Sequence, residues 1–413
     1  MGNYKVGHED KDCTCSPVVV DQEELEKVLA NGDRFPLLRF TGGLDDFGVE
    51  LVDSNTNSPS TYTAISHVWA DGLGNPRANA LHPCKLLKLR DYVMSLMKGE
   101  SALSDGENAF PLIWLDTLCC PAADGWAKQK AIEKIRLVYR KAKHVLVLDA
   151  GLMAYEADPQ DISEQLARVF TSSWMRRLWT LQEGALAQSL FFRFSDKAIS
   201  LADIGNSILK KSQTSTRHRV ILMDFLKEFL GVGSFFNSGN DVPPTLTLLD
   251  DSLKHRSVSV LTDEPLCIGT LMSLDLAKIL AVSPKEARMQ KLWDLIALKH
   301  GGIPSQIIFF EEPRIKSPGY GWAPQSFLEM GRGIHDLSSR VVRWNDPRLA
   351  PITPKGLRVN YSGYTITTFD DYRDSKPRNP FPGFQRIPES YSEWPFKHLV
   401  KSDLQAHATC QTV

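Results

Sequence analysis

Between Tyr62 and Phe194, apolar runs of strand length alternate with segments of helical periodicity, and this alternation restricts the fold more than any other feature of the chain. The runs are "YTAISHVW", "FPLIWLDTL", "HVLVLDA" and "SLFFRF". The second has no polar alternation, which suits a strand covered on both faces of its sheet. Between the runs, "HPCKLLKLRDYVMSLMKG" is amphipathic, and "DGWAKQKAIEKIRLVYRKA" carries Ile132, Ile135, Val138, Tyr139 and Ala142 on one stripe. A helix over about 162–170 and another over "SSWMRRLWTLQEGALA", N-capped by Ser172 or Ser173, precede the last run. This order predicts an α/β unit over 61–195, with a mostly parallel sheet flanked by helices and right-handed crossovers.

On either side the pattern weakens. Residues 1–60 read as a leader, loosely attached up to about residue 20. A short helix in "DQEELEKVLANGDRF", stopped by Gly32, and a strand at "LLRFTGG" follow. Residues 196–380 read as a mostly helical region packed on the α/β unit, and 381–413 as a tail. Helices are expected there at "SILKKSQTSTRHRVILMDFLKEFLG" and "SPKEARMQKLWDLIALKHGG", and short strands at "IIFF" and "YTITTF".

Composition narrows the partners. Across 413 residues, 48 basic side chains stand against 49 acidic ones, so no nucleic-acid partner held by bulk charge is expected. No apolar run reaches the roughly 18 residues of a membrane span, and the N-terminus has no apolar signal core. Val6 stands where a myristoylation signal needs Ser or Thr, and Gln411 and Thr412 break a prenylation box at Cys410. Seven cysteines, an odd number without a secretory signal, point to free thiols in a reducing compartment, the cytoplasm. Cys13/Cys15 and Cys119/Cys120 lack C-x-x-C spacing, and no second His/Cys pair lies at zinc-finger distance, so no metal site is expected.

Ligands of open α/β sheets gather at the carboxyl ends of the strands. Ser66, His67, Asp71 and the Gly72/Gly74 pair stand there after the first run, and Asp116, Cys119 and Cys120 after the second. Gly72-Leu73-Gly74 is an incomplete phosphate loop, since Arg77 occupies the place of a third glycine, and two glycines equally serve a plain turn. Cys119, His67 and Asp116 suit a thiol nucleophile, base and orienter, although core packing is the commoner role of a reduced cysteine. On the last helix Arg176, Trp179 and Glu183 fall at i, i+3 and i+7. A carboxylate beside a tryptophan is desolvated and its pKa rises, whereas an arginine on the same stripe makes an ordinary ion pair. Both readings stay open.

Four segments, "YTAISHVWADGLGNP", "LIWLDTLCCPA", "YRKAKHVLVLDA" and "SSWMRRLWTLQEGALA", resemble in order and spacing the blocks of the fungal heterokaryon incompatibility (HET) domain. Two departures stand out: Cys119-Cys120-Pro121-Ala122 replaces the usual Cys-Ile-Asn-Gln, and Trp69-Ala70 the usual Trp-Gly. The resemblance implies non-self recognition (vegetative incompatibility) and programmed cell death, with an incompatibility partner protein or self-association. The family is considered similar to TIR domains, a flavodoxin-like fold whose enzymatic members cleave NAD, so NAD is the implied substrate and no resident cofactor is implied. Trp179-Thr180-Leu181-Gln182-Glu183 keeps the Trp-to-Glu spacing of their helix. Under that reading Glu183, Asp116 and His67 are the catalytic set, and Ser66, Trp69, Asp71, Gly72, Arg176 and Trp179 contact the nucleotide. The other readings are a non-catalytic signalling module that self-associates and an enzyme recruited to secondary metabolism.

Overall fold

Every residue of Tyr62–His67 and of His144–Leu148 is buried, as strands covered on both faces must be. In the computed structural model these two lie side by side in a seven-stranded sheet. The structure describes residues 7–42, 47–55, 61–97, 111–157, 162–212, 220, 249, 252–253, 256–283, 285–309, 313–328 and 349–360. All but Asn360 fall in one unit of residues 1–359; residues 360–413 form a second. The strand expected at "YTITTF", the tail and, apart from Val220, the expected helix beyond Ser212 lie outside the described residues.

The sheet strands in chain order are β1 (Pro36–Thr41), β2 (Gly48–Asp53), β3 (Tyr62–His67), β4 (Leu112–Trp114), β5 (His144–Leu148), β6 (Leu190–Arg193) and β7 (Ala198–Ser200). Across the sheet they run β2-β1-β4-β3-β5-β6-β7. The four apolar runs, β4-β3-β5-β6, pair in parallel. The sheet is nevertheless mixed rather than mostly parallel. The β1–β2 hairpin pairs antiparallel within itself and against β4, through Leu38 opposite Ile113, and β7 turns back on β6. Strands joined by a short turn run antiparallel, which sets β2 against β1 and β7 against β6. The sheet thus begins at Pro36, ahead of the expected boundary at 61. The leader is also fastened: Val18–Val19 pairs with Ala80–Leu81.

Helices α1 (Gln22–Leu29), α2 (Pro83–Met97), α3 (Trp126–Lys141), α4 (Ile162–Thr171) and α5 (Leu178–Ala185) precede or link these strands. On α2 the buried residues Leu86, Leu89 and Val93 keep the expected helical spacing. On α3, Val138 and Tyr139 enter the core, but Ile132 and Ile135 are only partly covered and face a cleft. Buried Lys134 reaches across instead, donating from Nζ to the carbonyls of Leu29 and Arg34, both at 2.7 Å.

Beyond the sheet, α6 (Leu201–Ser212), α7 (Glu264–Leu271), α8 (Leu276–Leu280) and α9 (Lys285–His300) continue the chain, with two-residue strand pairings at 303–304/349–350 and 352–353/356–357. The "IIFF" segment is not a strand: Ser305–Phe309 is a 3-10 turn that buries Ile307. A four-residue apolar run does not distinguish the two conformations. No helix among the described residues is long and apolar enough to cross a membrane.

Among the described residues there are two large apolar cores and a small cluster of Leu29, Ala127 and Ala131. One large core lies around the sheet; the other gathers α7, α8 and α9 with Trp322 and Phe327. Leu178 and Leu181 of α5 belong to the second core, while Trp174, just ahead of α5, belongs to the first. Asp149 ties β5 to this junction. Its Oδ1 caps the turn Ala150–Met153, accepting from the amides of Gly151 (2.9 Å) and Leu152 (3.2 Å), and Oδ2 accepts from the Trp174 amide at 2.9 Å. Replacing Asp149 with Ala strands buried amides, so Asp149→Ala is expected to lose about 2–3 kcal/mol in urea unfolding. A loss below about 0.5 kcal/mol contradicts this role.

Candidate functional site

The parallel strands deliver two polar side chains at their carboxyl ends. His67 is the last residue of β3, and Asp116 opens the single helical turn Asp116–Cys119 after β4. His67 Nε2 donates to Asp116 Oδ1 at 2.7 Å, the Thr117 amide donates to the same oxygen at 2.7 Å, and Trp69 Nε1 donates to Oδ2 at 2.5 Å. Burial works against the charge of both partners, yet their mutual attraction prevails. Asp116 is held below the usual carboxylate range, and His67 is raised above its ordinary value. Trp69 reaches Asp116 only because position 74 is glycine: a Cβ there would stand 2.9 Å from the Trp69 ring. The glycine pair therefore serves a turn, with Gly72 at φ 101° and Gly74 beneath an indole.

A second relay holds Glu183. Trp174 Nε1 donates to Ser66 Oγ at 2.5 Å, and Ser66 Oγ donates to Glu183 Oε2. Gly184 permits it, since a Cβ there would meet the Trp174 ring at 2.8 Å. Burial pushes the Glu183 carboxyl up to about 7. The Asp116 charge adds to this, and the Ser66 hydrogen bond, His67 and Arg177 oppose it.

Arg176, Trp179 and Glu183 do not share one helical stripe. The helix expected over "SSWMRRLWTLQEGALA" is broken at Arg177, whose backbone is extended at φ −88°, ψ 140°. Ser257 causes the break: its amide donates to the Arg176 carbonyl at 2.7 Å, and its carbonyl accepts from the Leu178 amide at 2.9 Å. Arg256 Nη1 adds a bond to the Arg177 carbonyl at 2.8 Å. Arg177, rather than Arg176, consequently borders the cleft. Ser172 caps the short turn before the break, accepting from the Met175 amide at 3.3 Å.

The cleft encloses about 410 Å³, within the range of small-molecule sites. His67, Trp69, Asp116, Arg177, Trp179 and Glu183 open onto it, and Ile132, Ile135 and Tyr139 of α3 form an apolar wall. A further wall, Ser257–Val260 with Asp263, comes from the second half of the chain. Asp263 Oδ2 accepts from Trp179 Nε1 at 3.1 Å. Its only trace in the sequence is the polar "HRSVSVLTDEPL" stretch. Of the other expected residues, Ser66 lies buried behind Glu183, and Gly72 and Arg176 are outside the lining. Asp71 faces the other side of β3, where Oδ2 accepts from the Ala150 amide at 2.8 Å. Cys119 is buried, its thiol pushed up to about 12, so no thiolate is offered to His67; Cys120 borders the cleft, but burial raises its thiol too.

An α/β protein with a carboxylate-bearing cleft beyond its strand ends is the class that this geometry defines. Residues 62–160 match the family model described as heterokaryon incompatibility protein (HET). The match carries β3, β4 and β5 with His67 and Asp116, while Trp174 and Glu183 lie beyond it. Comparison with curated proteins and with solved structures gives no match.

The raised pKa has a consequence for stability. A group whose folded value exceeds its unfolded one supports the fold fully below the unfolded value and loses that support as pH rises through the folded value. For Glu183 the window runs from 4.5 to about 7. The stability of Glu183→Gln relative to the native chain is expected to improve by about 2–3 kcal/mol between about pH 5 and pH 8. Parallel urea-unfolding profiles for the two proteins contradict a raised Glu183.

Proposed function

We propose that the cleft cleaves the N-glycosidic bond of a nicotinamide nucleotide, NAD, with Glu183 as the central carboxylate. The observation that carries this reading is the Glu183 carboxyl, raised to about 7 and fixed by Ser66, opening onto the same 410 Å³ cleft as the His67–Asp116 pair. A carboxyl poised near neutrality is partly ionised at working pH and meets charge without costly reorganisation. When the bond from ribose C1′ to the nicotinamide nitrogen breaks, the electron pair leaves with the ring and neutralises it. C1′ is left with oxocarbenium character, and water adds there and releases a proton. Ionised Glu183 accepts hydrogen bonds from the ribose hydroxyls as that positive charge grows, as carboxylates do in glycoside cleavage. Arg177 at the rim suits the pyrophosphate, and the Trp69 and Trp179 rings suit the flat bases.

The order of the parallel strands, second-first-third-fourth, supports a flavodoxin-like and hence TIR-like reading. In that order a ligand sits between the first and third strands. Here Asp71 bridges to Ala150 at those two strand ends, and the cleft opens on the side of the first and second. NAD consumption would account for growth arrest or cell death in an incompatibility reaction.

The test incubates the purified full chain with NAD and follows nicotinamide release. Glu183→Ala is expected to lower the rate about 100-fold or more. The native rate is expected to rise with pH through about 7 as Glu183 ionises. Equal rates for native and variant chains overturn the role of Glu183. A native chain that neither binds nor cleaves NAD, whether monomeric or assembled, overturns the enzyme reading and leaves a self-associating signalling module.

A further inference from the structure

The leader and the start of α2 bring four metal-ligating atoms together, apart from the cleft. His8 Nδ1, Cys13 Sγ, Cys15 Sγ and Cys84 Sγ all lie within 4.8 Å of one another. Cys13 and Cys15 sulfurs are 3.4 Å apart, and His8 Nδ1 stands 3.4 Å from Cys15 Sγ and 3.9 Å from Cys84 Sγ. We propose that these residues bind one zinc ion in a tetrahedral Cys3His site that fastens the leader to the α/β domain.

The separations suit the ion. Zinc–sulfur bonds of about 2.3 Å and zinc–nitrogen bonds of about 2.0–2.1 Å put neighbouring tetrahedral ligands about 3.5–3.8 Å apart. A disulfide would use two of the four groups and leave the others without purpose. The surroundings are those of a metal-held thiolate: the Glu9 amide donates to Cys84 Sγ at 3.3 Å, and Cys84 sits in the first turn of α2, where the helix dipole favours negative charge. His82 packs its ring against His8, centroids 3.7 Å apart, with Nδ1 placed 2.9 Å from the Cys15 carbonyl to donate to it. Three thiolates around a divalent ion leave one negative charge, and Lys85 and Lys88 stand close by, each paired with Glu9.

The chain builds the site through a long-range contact. Val18–Val19 pairs with Ala80–Leu81, which sets Cys13-x-Cys15 opposite His82-x-Cys84, with Cys15 and His82 lying 67 positions apart in the chain. No short spacing announces such a site, which explains the contrary expectation from the sequence. On its far side, Lys85 Nζ lies 3.0 Å from where a Cβ of Gly72 would be, so the clip backs the turn that carries Trp69.

The experiment measures metal by mass spectrometry in full-length chain refolded with zinc under reducing conditions, then replaces zinc with cobalt. About one zinc per chain is expected, and the cobalt form should show the intense visible bands of tetrahedral coordination with thiolate charge transfer. Cys15→Ser and Cys84→Ser are expected to lower retained zinc at least 10-fold. The cobalt spectrum of the native chain stands even if these variants fail to fold. A native chain that retains no zinc, holds iron instead, or gives cobalt bands without thiolate charge transfer overturns the proposal, as does a folded Cys84→Ser variant with undiminished zinc.

Discussion

A carboxyl group taken out of water must be given hydrogen bonds or surrender its charge, and Glu183 is the residue around which this requirement is met. Its partner, Ser66, is the penultimate residue of β3, and Ser66 in turn accepts from Trp174, which sits in the sheet core. Each member rests on another element. Asp149 at the end of β5 receives the Trp174 amide, Gly184 leaves room for the indole, and the β3–β5 pairing sets Ser66 opposite Val147. The sheet register and the orientation of Glu183 are therefore one constraint seen from two ends.

The cleft forms because α5 serves two cores. Leu178 and Leu181 face the helical core, while Trp174 and Leu186 on either side join the core around the sheet. A helix shared in this way leaves polar groups at the seam between two packed bodies, and ligand pockets favour such seams. The two carboxyl groups differ in their partners. Asp116, surrounded by donors, is held ionised despite its burial, whereas burial outweighs the Ser66 hydrogen bond at Glu183 and lifts its pKa to about 7.

Much of the sheet was legible because β3, β4, β5 and β6 lie in mostly apolar runs of strand length, as strands covered on both faces usually do. His67, Asp116 and Glu183 could be singled out as polar residues at strand ends or beside a tryptophan. Their grouping into one set came from the family resemblance, and the break at Arg177 could not be read at all, because it depends on backbone pairing with Ser257, some 80 residues away. No glycine or proline marks the break at Arg177, and local propensity favours an uninterrupted helix there. The same limit hid the β1–β2 hairpin: "LLRFTGG" reads as a strand, but its pairing with β4 is decided by contacts across about 75 residues.

The Ser257 bridge joins two distant parts of the chain at the cleft. The stretch that marks the family, 62–160, supplies His67 and Asp116, whereas Arg177, Trp179, Glu183 and the opposite wall follow it. A substitution within residues 256–263 could thus change the wall of the cleft while leaving the matched segment 62–160 untouched. The strand ends and the wall that faces them can therefore vary independently of one another.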